Sequence, residues 1–311
     1  MSSDAPRESR RGFSERPFRV LGARQSLAER LAAVWASREL LLYLISSDIK
    51  IKYKNSALGM VWSMIAPAMQ IGIYFLVFQI ILKNGVPDYV VMLWSGMLVW
   101  HFFTNVVTNS TSVIVQRAGI VKKVAFPREI LALSIVGTSI VYFTIQFGVL
   151  ALLMLAMGHA PAWHLVWLLP MAFGGVVLIA SSLGIFFSAI NVYFRDTSHM
   201  VDVGINLWFW LTPIVYSYER TVSPMLHAHG LAWLYLMNPV TPVVLTFQRV
   251  LYGQTSVIAN TADHGVVHVL PAWSTATYAT INGALIGIGV IMLFGAMSVF
   301  GRLQGNFAEE L

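Results

Sequence analysis

Along this chain, apolar runs with uncharged centres alternate with short segments that hold most of the charge. A hydrocarbon core about 30 Å thick takes about 20 residues of helix at 1.5 Å rise each. Six runs meet that length, roughly 58–82, 89–115, 130–157, 164–190, 200–218 and 276–300. Lys83 and Pro87 close the first, Arg117 to Arg128 separates the second from the third, and Asn191 to His199 separates the fourth from the fifth. The pattern predicts an all-α membrane protein whose transmembrane domain fills residues 58–300 with six helices.

Ahead of the first run, residues 25–57 are too charged to insert, yet their apolar residues recur with helical spacing: Leu27, Leu31, Val34 and Trp35, then Leu41, Leu42, Ile45 and Ile49. That spacing predicts an amphipathic helix lying on the membrane. Ser26 and Glu29 have the spacing of a capping box, in which hydroxyl and carboxylate satisfy otherwise unpaired N–H groups at the helix start. Arg30, Arg38, Lys50, Lys52 and Lys54 then face lipid phosphates or a partner, or serve only as the basic flank that orients the first span. Residues 1–24, rich in Ser, Arg, Glu and Pro, read as a disordered cytoplasmic tail. Between the fifth and sixth runs, Pro224, Pro239 and Pro242 interrupt an apolar sequence. Residues 221–253 are therefore expected to form short re-entrant helices, and Gln254 to Pro271 an ordinary polar loop.

Composition strengthens this picture. The chain is 57% hydrophobic and 11% charged, against roughly 25% charged in soluble domains. Its net charge of +6 does not point to nucleic acid, because the basic residues sit beside apolar segments. Arg117, Lys122, Lys123, Arg128, Arg195 and Arg302 fall in connections on the same side as the N-terminal basic stretch, whereas only Lys83, Arg220 and Arg249 fall on the other. Cytoplasmic loops collect Lys and Arg, so both the N-terminus and residues 301–311 are expected in the cytoplasm. There is no cysteine, which excludes disulfides and thiolate metal sites.

Candidate chemistry is sparse. No Gly-Lys dipeptide occurs, so the phosphate cradle of a nucleotide hydrolase is missing. Charges stop at the span ends, unlike the membrane-buried carboxylates and arginines of proton pumps and secondary transporters. A membrane-embedded glycan-modifying enzyme is the alternative of a different class, but Asp196 and Asp202 do not share a helix face and so do not form the acid/base pair it would need. His227, His229, His264 and His268 have no thiolate to join them and read as loop histidines, not a metal site. The second span carries His101, Thr104, Asn105, Thr108, Asn109 and Ser112 along one face. Such a stripe either joins helices or lines a hydrophilic path. Tyr74, Phe75 and Phe78 in the first span and Trp208, Phe209, Trp210 and Tyr216 in the fifth could pack against the C–H faces of sugar rings, or simply against other helices. Gly283 and Gly287 in the sixth span suggest close helix packing, within the chain or at a dimer seam.

Taken together, several strings resemble the ABC-2 type permeases that export O-antigen, capsule, teichoic acid and related cell-wall glycans. They are Ser37 to Leu41, then Asp48 to Trp62 with Pro67, then Val121 to Glu129, then Asn191 to Asp196, then Asn238 to Pro242 with Gln248 to Gly253. In order and spacing the resemblance spans residues 37–305. Where the family often has an arginine before the aspartate matching Asp48, this chain has Ser47. The resemblance implies a homodimer in the bacterial plasma membrane, paired with two copies of a separate ABC subunit that binds ATP and Mg. This chain then needs no cofactor of its own and exports a lipid-linked polysaccharide, or alternatively a lipid or small amphipathic compound. It implies a coupling helix over 117–128 that presents Arg117, Ile120, Val121, Lys122, Lys123, Val124, Phe126 and Arg128 to the ATPase. The interfacial helix, with Trp35, Arg38, Glu39, Asp48, Lys50 and Lys52, would brace against the same subunit. Spans one and five would line the substrate path. Tyr74, Phe78, His101, Asn105, Asn109, Trp208, Trp210 and Tyr216 are its candidate residues, and Asn238 and Pro239 would shape an outer gate.

Overall fold

The computed structural model describes residues 27–54, 62–83, 85–124, 126–224, 235, 237–258 and 266–311. The N-terminal tail, the Ser26 half of the capping box, His227, His229 and His264 lie outside these residues, as does part of the re-entrant region.

Helices α1 (Leu27–Ala36) and α2 (Arg38–Tyr53) divide the expected interfacial helix at Ser37, whose hydroxyl donates back to the Ala33 carbonyl at 2.9 Å. Hydroxyls that return to the preceding turn compete with the next backbone bond and bend helices. Leu44 is buried, and α2 packs along the third span. Trp35, Leu42 and Tyr43 are left exposed on the other face. This amphipathic unit is thus clamped to the bundle on one side and free to meet lipid on the other.

Among the described residues, five helices are long and apolar enough to cross a membrane. The first span is α3 (Trp62–Phe75), running into a π-turn at Leu76–Ile81. The others are α4 (Tyr89–Gln116), α6 (Glu129–Met157), α7 (Leu168–Tyr193) and α10 (Thr275–Leu303). Between α4 and α6 lies the single turn α5 (Ala118–Val121). Gly158 ends α6 at φ +68°, in the left-handed region where a glycine costs least. At the start of α10, the Ser274 hydroxyl caps the Thr277 N–H at 3.1 Å.

The expected fifth span departs from the pattern. Helix α8 covers only Thr197–Trp210, 14 residues or about 21 Å of rise, and the chain then turns through 211–216. Pro213 supplies no N–H and disfavours a helical Thr212 before it, so an apolar run that reads as one span is broken near its end. Helix α9 (Val240–Leu251) then packs against α4 and α7 with nearly every side chain buried. The buried Gln248 amide faces the carbonyls of Met92, Pro213 and Ile214 at 3.4 to 3.5 Å. Irregular backbone is tolerated at this depth because protein covers its polar groups. The connection expected as a plain loop contains a small antiparallel hairpin, β1 (Ser256–Ile258) with β2 (Val266–His268), in register Val257 to Val267. A last turn, α11 (Phe307–Glu310), follows a 3₁₀ segment at Gln304–Asn306.

Helix α4 is the hub, packed on α6, α7, α8 and α9. Gly184 lets α7 approach α4 so closely that a Cβ there would stand 2.8 Å from the Ser110 Cβ. Gly283 and Gly287 make no such approach, having nothing within 4 Å of a built Cβ; the glycine that seats α10 on α7 is Gly289, where a Cβ would meet that of Leu178 at 2.7 Å.

Candidate functional site

The polar stripe of α4 opens on a cavity of about 950 Å³. His101, Thr104, Asn105, Thr108 and Asn109 form one wall of it. Gln70 and Tyr74 from α3, Tyr142 and Gln146 from α6, and Asn206 and Phe209 from α8 complete the enclosure. His101 ties three helices together, its ring nitrogens lying 3.1 Å from the Gln70 amide oxygen and 3.3 Å from that of Gln146. The stripe joins helices at His101 and exposes Asn105 and Asn109 to the cavity. Asn109 donates to the Asn105 carbonyl at 2.9 Å. The buried Thr104 hydroxyl has no hydrogen-bond partner. An unsatisfied group of this kind costs about 1–3 kcal/mol and favours a polar occupant or water.

Charge enters only at the rim. Lys52, at the end of α2, lies 4.4 Å from the centre of the Tyr142 ring, and Asp202 stands across the opening on α8. The walls are otherwise amides, hydroxyls, the His101 imidazole and aromatic faces. Tyr74 stacks on Phe209 at 5.6 Å and 20°, and Trp100 tilts against the same ring at 5.5 Å.

The remaining path candidates lie elsewhere. Phe78 packs against the main apolar core. Trp208 meets Phe103 edge-on at 5.1 Å and donates its indole N–H to Asn238 at 2.8 Å. Trp210 is exposed beside Phe209, and Tyr216 pairs its hydroxyl with that of Tyr235 at 2.7 Å. Asn238 spends its hydrogen bonds on the fold: besides Trp208, its oxygen accepts from the Val240 N–H at 3.0 Å and its amide donates to the Thr212 hydroxyl at 3.0 Å. It fastens the broken end of α8 to the start of α9, with Pro239 in the N-cap position. Gln70, Tyr142, Gln146, Trp100 and Asn206 are cavity residues that sequence reasoning missed. The two glutamines left a signal, since each is an isolated amide inside an otherwise apolar run.

The connection between α4 and α6 is not the helix expected over 117–128. It contains one helical turn, and only part of it faces outward. Ile120 and Val124 are 44% and 55% exposed and flank the exposed Lys122 and Lys123. Val121 instead is buried against the bundle, and Phe126 is half-buried there. Arg117 makes an ion pair with Asp48 of α2, and Arg128 donates to the Gln304 carbonyl. The two arginines thus anchor the connection to its own chain and leave a knob of two lysines and two aliphatic residues. Arg38, Glu39 and Lys50 are exposed on α2 near this end, and Trp35 is exposed on α1. In the Asn191 to Asp196 string, Asn191 is buried and its side-chain oxygen accepts from the Ser198 N–H at 3.2 Å, capping the start of α8. Among the described residues no group of three or more His, Cys, Asp or Glu could hold a metal ion.

Comparison with known proteins matches these features to one family. Residues 39–252 match the family described as ABC-2 type transporter. The chain is 29% identical over 273 residues to the O-antigen export system permease protein RfbA of Klebsiella pneumoniae, an alignment covering 88% of this chain and 95% of that protein. It is 27% identical over 274 residues to the protein of the same name from Myxococcus xanthus, covering 88% and 96%. With the match spanning well over half its length, the chain belongs to the ABC-2 type transporter family.

Proposed function

We propose that this chain is the membrane-spanning permease subunit of an ABC exporter that moves a lipid-linked polysaccharide from the cytoplasmic to the outer face of the plasma membrane. The observation that carries this reading is the cavity against α4, whose walls pair amides and hydroxyls with aromatic faces and keep charge at the rim. Sugars present hydroxyls around apolar C–H faces, and such walls can hold each residue of a glycan weakly enough to let it move on. Permeation needs binding favourable enough to admit a substrate and weak enough to release it. The extended similarity to O-antigen export permeases supports the same substrate class.

Energy is supplied from outside the chain, which has no phosphate-binding loop. In this reading ATP and Mg are held by two copies of a separate ATP-binding subunit, and this chain works as a homodimer. The end of the bundle carrying α1, α2, the 117–128 connection and residues 304–311 faces the cytoplasm, in keeping with its excess of Lys and Arg. The knob of Ile120, Lys122, Lys123 and Val124 is the docking surface, two lysines set between exposed aliphatic side chains. Closure of the ATPase pair pushes on that knob, and the anchored arginines pass the movement into α2 and α6.

Reconstitution with the ATP-binding subunit tests this directly. Vesicles given ATP should translocate a labelled lipid-linked oligosaccharide and should not translocate a labelled phospholipid. The double substitution Lys122→Glu with Lys123→Glu should leave the chain folded and reduce co-purification of the ATP-binding subunit at least about tenfold, the scale of losing one or two charge contacts at an interface. Full co-purification of that variant would refute the docking assignment, and transport without ATP would refute the exporter reading.

A further inference from the structure

Residues 304–311 lie at the end of the bundle that the proposed function places in the cytoplasm, against α7, α10 and the residue that precedes α6. Phe307 is fully buried, edge-on to Phe300 of α10 at 5.5 Å and to Tyr193 of α7 at 6.1 Å. The Tyr193 hydroxyl donates to the Leu303 carbonyl at 2.7 Å, where α10 gives way to the 3₁₀ turn. From the other side, Arg128 reaches over the Phe307 ring, 5.5 Å from its centre, and donates to the Gln304 carbonyl. Arg128 is the last residue before α6, so the segment holds the far end of the very connection whose knob faces outward.

The next residue makes a second tie. Glu129 is almost fully buried, and its carboxylate stands 3.9 Å from the guanidinium of Arg30 on α1. Arg30, expected from the sequence to face lipid phosphates or a partner, is instead buried and donates to the Met297 carbonyl of α10 at 2.9 Å. It can lie there only because residue 301 is glycine, since a Cβ at that position would overlap the guanidinium. Burying two charges is expensive unless they are paired, and truncating one partner leaves the other stranded. Apolar helix contacts can slide past one another, whereas hydrogen-bonded charges hold a fixed distance. Here the Arg30 hydrogen bond to the Met297 carbonyl joins α1 to α10, and the longer ion pair of Arg30 with Glu129 brings α6 to the same point, with Phe307 as the floor beneath Arg128.

We propose that residues 304–311, together with Arg30, form a latch that sets the position of the 117–128 connection and carries its movement into α10. This rests on the exporter reading above and adds to it a set of positioning residues, Phe307, Tyr193, Gly301 and Arg30, none of which belongs to the knob or the cavity. The sixth span and the interfacial helix would then respond to the ATPase as one unit with the third span.

The test uses the full chain carrying Phe307→Ala, Gly301→Ala, or a deletion of residues 304–311. Reconstituted with the ATP-binding subunit, each variant is assayed for ATP hydrolysed per labelled lipid-linked oligosaccharide exported. A merely less stable protein loses both activities in proportion and leaves that ratio where it was. Loss of the latch should raise the ratio about fivefold, the scale of a mutation that modulates coupling. In the purified chain alone, amide exchange over residues 118–124 should quicken about tenfold while that of residues 90–107 is unchanged, a local opening without global unfolding. An unaltered ratio together with unaltered exchange would overturn the proposal. If Phe307→Ala does not assemble, Gly301→Ala decides, because it dislodges Arg30 without opening the Phe307 site. Should the wild-type complex show no ATP-dependent export, the transport reading falls, and the exchange measurement still decides whether the segment positions the connection.

Discussion

The first and second spans face each other across the cavity, and the more apolar of the two is the less buried. The first has a mean hydropathy of 1.8 in its most apolar window with 6% of that window buried; the second has 1.5 with 72% buried. Lipid is as good a solvent for leucine as a protein interior is, so an apolar helix gains little by leaving it. Amides and hydroxyls cannot stay in hydrocarbon without a partner, and they draw the second span into the bundle. Burial in a membrane protein is therefore governed by where the polar side chains must go, and hydropathy alone ranks these two helices the wrong way round. The first span is left with Met69, Ile73, Ile80 and Ile81 exposed in the single chain.

This contrast can be broken at the hub. Gly184→Leu would drive a side chain into Ser110 and the Val106 carbonyl of α4. Overpacking of this kind costs about 1–3 kcal/mol, and thermal unfolding in detergent should show the midpoint fall by several degrees with a reduced yield of folded protein. A smaller effect, confined to transport, is expected from Asn105→Leu with Asn109→Leu. Those changes cover the polar wall with apolar groups, and losing about one hydrogen bond's worth of interaction, near 1.4 kcal/mol, should slow export about tenfold. Co-purification of the ATP-binding subunit should not change. The smallest effect belongs to the first span. Gly72 is exposed with nothing within 4 Å of a built Cβ, so Gly72→Ala should leave stability within about 0.5 kcal/mol of wild type. Equal losses from Gly184→Leu and Gly72→Ala in the same unfolding assay would contradict the assignment of hub and wall.

The knob and the cavity were legible to different degrees. Lys122 and Lys123 stand out because the connection joining two apolar runs is basic, and the structure leaves them exposed. Arg117, Val121 and Arg128 read from sequence as part of the same docking surface, yet they turn inward to Asp48, the apolar core and Gln304. Their partners are far away in the chain, and no local period announces them. The stripe on α4 was visible as a helical period, whereas Gln70 and Gln146 were passed over because a search for charge in the spans does not register a single amide. Trp208 and Asn238, expected at the path and the outer gate, are tied to each other in a brace that no local pattern announced, since Pro213 breaks the helix between them and leaves polar groups to be satisfied.

The amino-acid pattern by itself determined that this is a multi-pass helical membrane protein, where its five long apolar helices run, and which connections collect positive charge, because transfer of apolar and charged groups between water and hydrocarbon is a local property of each segment. Only the tertiary structure decided which polar residues share a cavity, that the fifth run stops short, and that residues near the two termini of the described chain meet over Glu129. Those outcomes depend on which hydrogen-bond partners remain once the helices have packed, and such partners come from positions as far apart as Arg30 and Met297.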